Sequence, residues 1–215
     1  MSTISPFFRW DIASNAIETK VIIKKEETYK PYQYNWSWVD DFINNLPRNS
    51  LIYDVGCGNG KNMTNKRYEF FGIDNSPKFL DICKEKSLNV IRADMYNLPF
   101  KEQSADAVIC ISSLHQLSTY EKRKQTLAEI QRVLKPGGKG LISVWSIRQP
   151  ERIKNTFKTY GDNIVNYYDE NEKPYKEYYY IFRLNELASM IINSNLWIFK
   201  RTWEFGNEVF EVRKV

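Results

Sequence analysis

A chain of 215 residues can build one substantial hydrophobic core and is short for two. Its 42% apolar and 27% charged residues give an ordinary globular balance, and no run approaches the roughly twenty apolar residues of a membrane span. Lysine and arginine (31) exceed aspartate and glutamate (26), a dispersed excess that favours an anionic partner such as RNA without specifying one.

The chain opens M-S-T-I-S-P-F-F-R-W-D, with no basic stretch leading into an apolar signal segment, so a reducing, cytoplasmic location is expected. Residues 32–46 place Tyr32, Trp36, Val39 and Ile43 at helical spacing, and Pro47 ends that helix. L-I-Y-D-V (51–55) reads as a strand running into glycines, and E-F-F-G-I-D (69–74) as a second. A helix opens at Ser76-Pro77, a cap followed by proline in the first turn. L-N-V-I-R-A-D (88–94) is the third strand, and A-D-A-V-I-C-I-S-S (105–113) the fourth, apolar enough for burial on both faces. A long helix follows from Ser118, where Ser118 and Glu121 fit a capping box and Lys135-Pro136-Gly137-Gly138 a stop. G-L-I-S-V-W-S (140–146) is the fifth strand. Beyond Gln149 the alternation breaks into a basic, tyrosine-rich stretch, then resumes with a helix over 185–194. Strands over 196–203 and 208–215, joined through Gly206-Asn207, form a closing hairpin.

This alternation predicts an α/β fold: a doubly wound, mostly parallel seven-stranded sheet with an antiparallel C-terminal hairpin. One domain is expected over 1–215, with 147–182 as a substrate-side insertion. Ligands of such sheets lie at the carboxyl ends of the strands, where Asp54, Asp74 and Asp94 fall. The three cysteines, Cys57, Cys83 and Cys110, form no C-x-x-C pair, so neither a disulfide framework nor a metal site is expected.

The stretch D-V-G-C-G-N-G (54–60) is neither of the common phosphate loops. A dinucleotide fingerprint needs a glycine where Lys61 stands, and a P-loop needs Ser or Thr where Asn62 stands. Asp54 would repel a pyrophosphate and suits an ammonium or sulfonium group. The stretch resembles motif I of the class I S-adenosylmethionine-dependent methyltransferases, and the likeness continues through G-I-D, A-D-M-Y-N-L-P-F and L-K-P-G-G. The resemblance implies S-adenosylmethionine as cofactor. It further implies that Asp54, Gly56, Cys57, Gly58, Asn59 and Gly60 line the methionine part, and that Asp74 with Asn75 meets the ribose. Asp94, Met95 and Ile111 are then assigned to the adenine side.

Finer matches are similar to the tRNA wobble-uridine carboxymethyl methyltransferases. They are V-G-C-G-N-G-K, S-S-L-H-Q-L-S-T-Y-E-K-R, V-W-S-I-R-Q, the aromatic run E-Y-Y-Y-I-F-R-L-N-E-L (177–187) and Y-K-P-Y (29–32). The chain departs from that family at Gln116, where a second histidine is usual, at Asn75, where arginine is usual, and at Thr28. The likeness implies methyl transfer to the carboxylate of a modified wobble uridine in a tRNA anticodon loop. It assigns His115, Trp145 and Arg183 to the catalytic end, and Tyr29, Lys30, Arg148 and Tyr180 to the substrate. For each, a bland role stays open: a structural histidine, core packing for Trp145, surface charge for the arginines. The clustered tyrosines suit either unstacked bases or a strand with its surface cover. The family also implies a small zinc-binding activator subunit, paired along the third-strand edge at Leu88, Val90 and Ile91. A small-molecule methyltransferase and a non-catalytic cofactor-binding scaffold are the competing readings.

Overall fold

The computed structural model describes residues 3–4, 17–20, 36–150, 157–168 and 174–215. In chain order the elements are β1 (Thr3–Ile4), β2 (Ile17–Lys20), α1 (Ser37–Asn44), β3 (Leu51–Val55), β4 (Glu69–Asp74), α2 (Pro77–Glu85) and β5 (Val90–Arg92). Then come β6 (Ala105–Ile111), a 3-10 turn (Leu114–Gln116), α3 (Tyr120–Val133), β7 (Leu134–Trp145), β8 (Gly161–Tyr168) and β9 (Pro174–Ile181). The chain closes with α4 (Leu184–Asn193), β10 (Leu196–Glu204) and β11 (Asn207–Lys214).

Seven strands form one sheet in the order β10-β11-β7-β6-β3-β4-β5. The five strands from β5 to β7 are parallel, and β11 and β10 add antiparallel to β7. The strand order reverses between β3 and β6, which opens a crevice at their carboxyl ends. β6 shows why the sheet is covered on both sides, since only Asp106 of its seven residues is not buried. Val108 and Cys110 join Leu127, Ile130 and Val133 of α3 and Leu187 and Ile191 of α4. Ala107, Ile109 and Ile111, pointing the other way, join Val39, Phe42 and Ile43 of α1.

Several boundaries differ from the sequence reading. The third strand is three residues long and lies at the sheet's edge. The cap of α3 is Thr119, whose hydroxyl accepts from the Lys122 N–H at 3.2 Å, one residue after the expected Ser118. The K-P-G-G stretch does not merely stop a helix but forms the start of the twelve-residue β7. Lys135 ties this start to Asp106 of β6 at 2.6 Å, where the β6–β7 register is irregular. The C-terminal hairpin turns at Phe205-Gly206, not Gly206-Asn207, because Glu204 pairs with Asn207.

The tyrosine-rich stretch forms the antiparallel hairpin β8–β9, centre of a second sheet in the order β1-β9-β8-β2. β1 lies parallel to β9 and β2 parallel to β8. Tyr178 and Tyr179 are buried, so these two rings pack the hairpin against the body instead of facing solvent. The Tyr178 hydroxyl donates to the Ser118 carbonyl at 3.3 Å and also bonds Asp162. The hairpin thereby sits beside the 3-10 turn that follows β6, at the rim of the crevice.

Candidate active site

The glycine loop is a continuation of β3 folded back on itself. The Gly56 and Cys57 N–H groups both donate to the Ile73 carbonyl of β4, at 2.7 and 2.9 Å. Gly56 has φ +78°, and a Cβ there would lie 2.4 Å from Ser113 Oγ, so no side chain fits. Ser113 Oγ in turn donates to the Gly56 carbonyl at 3.0 Å, which ties the loop to the segment after β6. Gly58 differs: its φ is +52° and a Cβ would meet nothing within 4 Å, so this part of the loop faces open space. The Asn59 carbonyl accepts from Lys86 Nζ at 2.8 Å, and Gly60 closes the turn on Cys57 at 3.0 Å.

Two acids bracket the loop. Asp54, fully buried on β3, receives Asn62 Nδ2 at 3.4 Å on Oδ2 and has no partner on Oδ1. Burial, with the Asp74 charge assisting, pushes its carboxyl up to about 7 against the pull of Asn62 and Lys61. Asp74, at the end of β4, accepts from the Gly58 N–H and the Ser76 N–H, each at 2.9 Å. Burial raises its pKa while these backbone bonds oppose the rise. Asp94 is joined to Asn75 by a 3.4 Å hydrogen bond, which draws the two loops after β4 and β5 together. The Met95 methyl lies 3.5 Å from where a Gly56 Cβ would stand, over the glycine loop. Ile111 is buried at the end of β6. An unpaired buried carboxylate oxygen beside an open glycine turn fits the ammonium end of S-adenosylmethionine, and Asp74 keeps lone pairs for a diol.

The neighbouring end of the crevice is aromatic and uncharged. His115, in the 3-10 turn, is buried, and its Nδ1 accepts the Trp145 N–H at 2.9 Å. Its proton therefore sits on Nε2, and burial pushes the imidazole down to about 3. The Trp145 ring stacks on Tyr179 at 4.8 Å and 7°, with Phe157 packed against both. His115 lies 5.7 Å from Trp145 and 5.4 Å from Tyr179 between ring centroids.

His115 and Trp145 thus meet, while the assigned arginines lie elsewhere. Arg183 is exposed at the start of α4, 5.2 Å from the Tyr160 ring, with its N–H on Glu186. Arg148 is exposed beside Glu208 and Trp203. Tyr180 donates to Glu186 at 2.6 Å under the buried Arg123 guanidinium, 3.6 Å away. Tyr29 and Lys30 lie outside the described residues. Sequence reasoning missed Asn62, Ser113 and Phe157, and singled out Tyr179 only as one of the clustered tyrosines, not as the ring that stacks on Trp145. Of the three missed residues, Ser113 had a local signal, as a small polar residue just past a buried strand. Among the described residues, no three His, Cys, Asp or Glu side chains gather as a metal site would need, and no helix is long and apolar enough to cross a membrane.

Comparisons with known proteins agree with this arrangement. Residues 53–142 match the family described as Methyltransferase domain. A tRNA (carboxymethyluridine(34)-5-O)-methyltransferase of Arabidopsis thaliana is 44% identical over 117 residues, 54% of this chain and 29% of that protein. The chain thus matches less than a third of the length of the first curated relatives. Among solved structures, a SAM-dependent methyltransferase from Methanosarcina mazei is 17% identical with TM-score 0.66, covering 81% of this chain and 97% of that one. A complex between the Haloferax volcanii Trm112 methyltransferase activator and a methyltransferase gives 18% identity and TM-score 0.58, covering 82% of this chain and 89% of that one.

Proposed function

We propose that the chain is a class I S-adenosylmethionine-dependent methyltransferase, a reading supported by the Methyltransferase domain match over residues 53–142 and by the fold, and that it esterifies the carboxylate of 5-carboxymethyluridine at the wobble position of tRNA. The relative that shares 44% identity carries that activity in its name. The observation that carries the reading is the state of the rim histidine. His115 spends Nδ1 on a backbone N–H and stays uncharged down to about pH 3, so it is no general base at neutral pH. A substrate carboxylate needs none, because it is already ionised well below pH 7. When bound, the cofactor would supply a sulfonium-borne methyl group, and a substrate carboxylate could take that methyl on oxygen, with the thioether as leaving group and no proton to be moved. The protein's part is alignment and exclusion of water.

In this reading Asp54 meets the ammonium of the cofactor and Asp74 its ribose. Asp94, Met95 and Ile111 border the adenine. His115 and Trp145 wall the methyl-transfer end, with the Trp145 ring held flat by Tyr179. Arg183, Arg148, Tyr180, Tyr29 and Lys30 are assigned to the tRNA, Arg183 and Arg148 as exposed cations for phosphate. The enzyme works in the cytoplasm with a small zinc-binding activator on the β5 edge at Leu88, Val90 and Ile91, three half-buried side chains in or just ahead of a strand that pairs, among the described residues, with β4 alone.

The test is methyl transfer from labelled cofactor to tRNA bearing wobble carboxymethyl groups, with the activator present, followed by mild alkali. Release of volatile methanol is the expected result. Label that survives alkali, or transfer only to small molecules, overturns the proposal.

A further inference from the structure

The tip of the C-terminal hairpin carries aromatic surface that neither cofactor binding nor methyl transfer uses. Phe205 and Gly206 form its two-residue turn, with φ +48° and +88°. Such a turn favours Asn, Asp or Gly at its first position, and a bulky residue there is strained. Burial would offset that strain, yet Phe205 is 54% exposed. Backbone strain of this kind is kept where an exposed ring has work to do.

The ring has a backing and a place. It lies nearly parallel to Trp36, 6.1 Å away at 20°, and Trp36 is stacked in turn on Trp38 at 6.2 Å and 19°. Lys61 Nζ, just past the glycine loop, is 5.7 Å from the Trp36 ring centre. The turn is pinned to the rim: the Gly206 carbonyl accepts from the Ser146 N–H at 2.7 Å and Gln149 Nε2 at 2.9 Å, and Asn207 accepts from Ser112 Oγ at 3.1 Å. Ser146 follows Trp145, so Phe205 stands one short step from the methyl-transfer end. On the flank, Trp203 is 40% exposed and donates to the Arg148 carbonyl at 3.0 Å. Arg148 and Arg201 both approach the single carboxylate of Glu208, at 3.6 and 4.0 Å, which leaves a positive surplus there.

We propose that Phe205, backed by Trp36 and flanked by the Trp203–Arg148 pair, is a stacking shelf for an unpaired base next to the one that is methylated. This rests on the tRNA reading. An exposed ring in a fixed position beside surplus cations suits a single-stranded base and its phosphate, since every base offers a π-face.

Phe205→Asn tests it cleanly, because asparagine suits the turn and removes only the ring. The probes are a fluorescently labelled oligouridylate and an unmodified anticodon stem-loop, titrated against the full chain with its activator, alongside calorimetry with S-adenosylhomocysteine. The expected result is RNA affinity about tenfold weaker, from loss of one base–aromatic stack, with cofactor affinity and the salt slope unchanged and Phe205→Trp restoring binding. Unchanged RNA affinity in Phe205→Asn, while the wild type binds RNA and forms the ester, overturns the shelf alone. A wild type that binds neither RNA overturns the shelf together with the tRNA reading. Loss of self-association or of activator binding in Phe205→Asn, with RNA affinity kept, would make the tip a protein contact and also overturn the shelf.

Discussion

Asp54 shows how one carboxyl can be poised by its surroundings. Burial raises it to about 7, whereas in an unfolded chain it would ionise near 4. Between those values the folded protein holds a proton that the unfolded chain has lost, so this residue's contribution to stability falls as pH rises through that window. Above about 7 the folded carboxyl ionises, and an ammonium placed on its unpaired oxygen would be paired. Binding of S-adenosylhomocysteine should therefore strengthen by up to about tenfold per unit as pH rises toward 7, then level off. Calorimetry in buffers of different ionisation heat should detect proton release near pH 6, and Asp54→Asn should bind weakly with no pH dependence. His115 was legible as a rim residue but not in its role. Its acceptor bond to Trp145 joins residues thirty positions apart, and no local pattern announces such a pair.

At the scale of elements, the glycine loop was legible because its constraint is written in residue type. Gly56 needs a left-handed backbone and no side chain at once. Gly56→Ala should cost at least about 2 kcal/mol, from roughly 1–2 kcal/mol of left-handed strain plus displacement of Ser113. Adding Ser113→Gly should recover the collision and leave the strain, which urea unfolding of the single and double variants would separate. The cap of α3 was misread for a reason of the opposite kind. Ser118 with Glu121 fits the local capping pattern better than Thr119, but the Ser118 carbonyl is engaged by Tyr178, sixty residues on. The same applies to β7, whose early start depends on Lys135 reaching Asp106 across the sheet. The tyrosine-rich stretch was opaque because its hairpin is bordered by strands from the far N-terminus.

For the whole molecule, the parallel sheet was readable from alternating elements, and its exposed edge tests the partner. Gly72 N–H bonds the Asn89 carbonyl and Ala93 N–H bonds Asp74, so the alternate residues Val90 and Arg92 turn their backbone groups away from β4. Arg92→Pro should remove an outward donor while sparing the β4 ladder. It should abolish co-purification with the activator and leave S-adenosylhomocysteine binding by the folded chain intact; retained co-purification would exclude strand addition at this edge.

The smaller sheet has a temporal consequence. Its two outer strands precede the whole larger sheet in the chain, yet their partners run to Ile181. On the ribosome, Thr3–Ile4 and Ile17–Lys20 must wait while the parallel strands over 51–145 can already be assembling. Completion of the smaller sheet is thus a late, long-range event. A bulky fusion ahead of Thr3 would hinder it while leaving the crevice at the carboxyl ends of β3 and β6 formed.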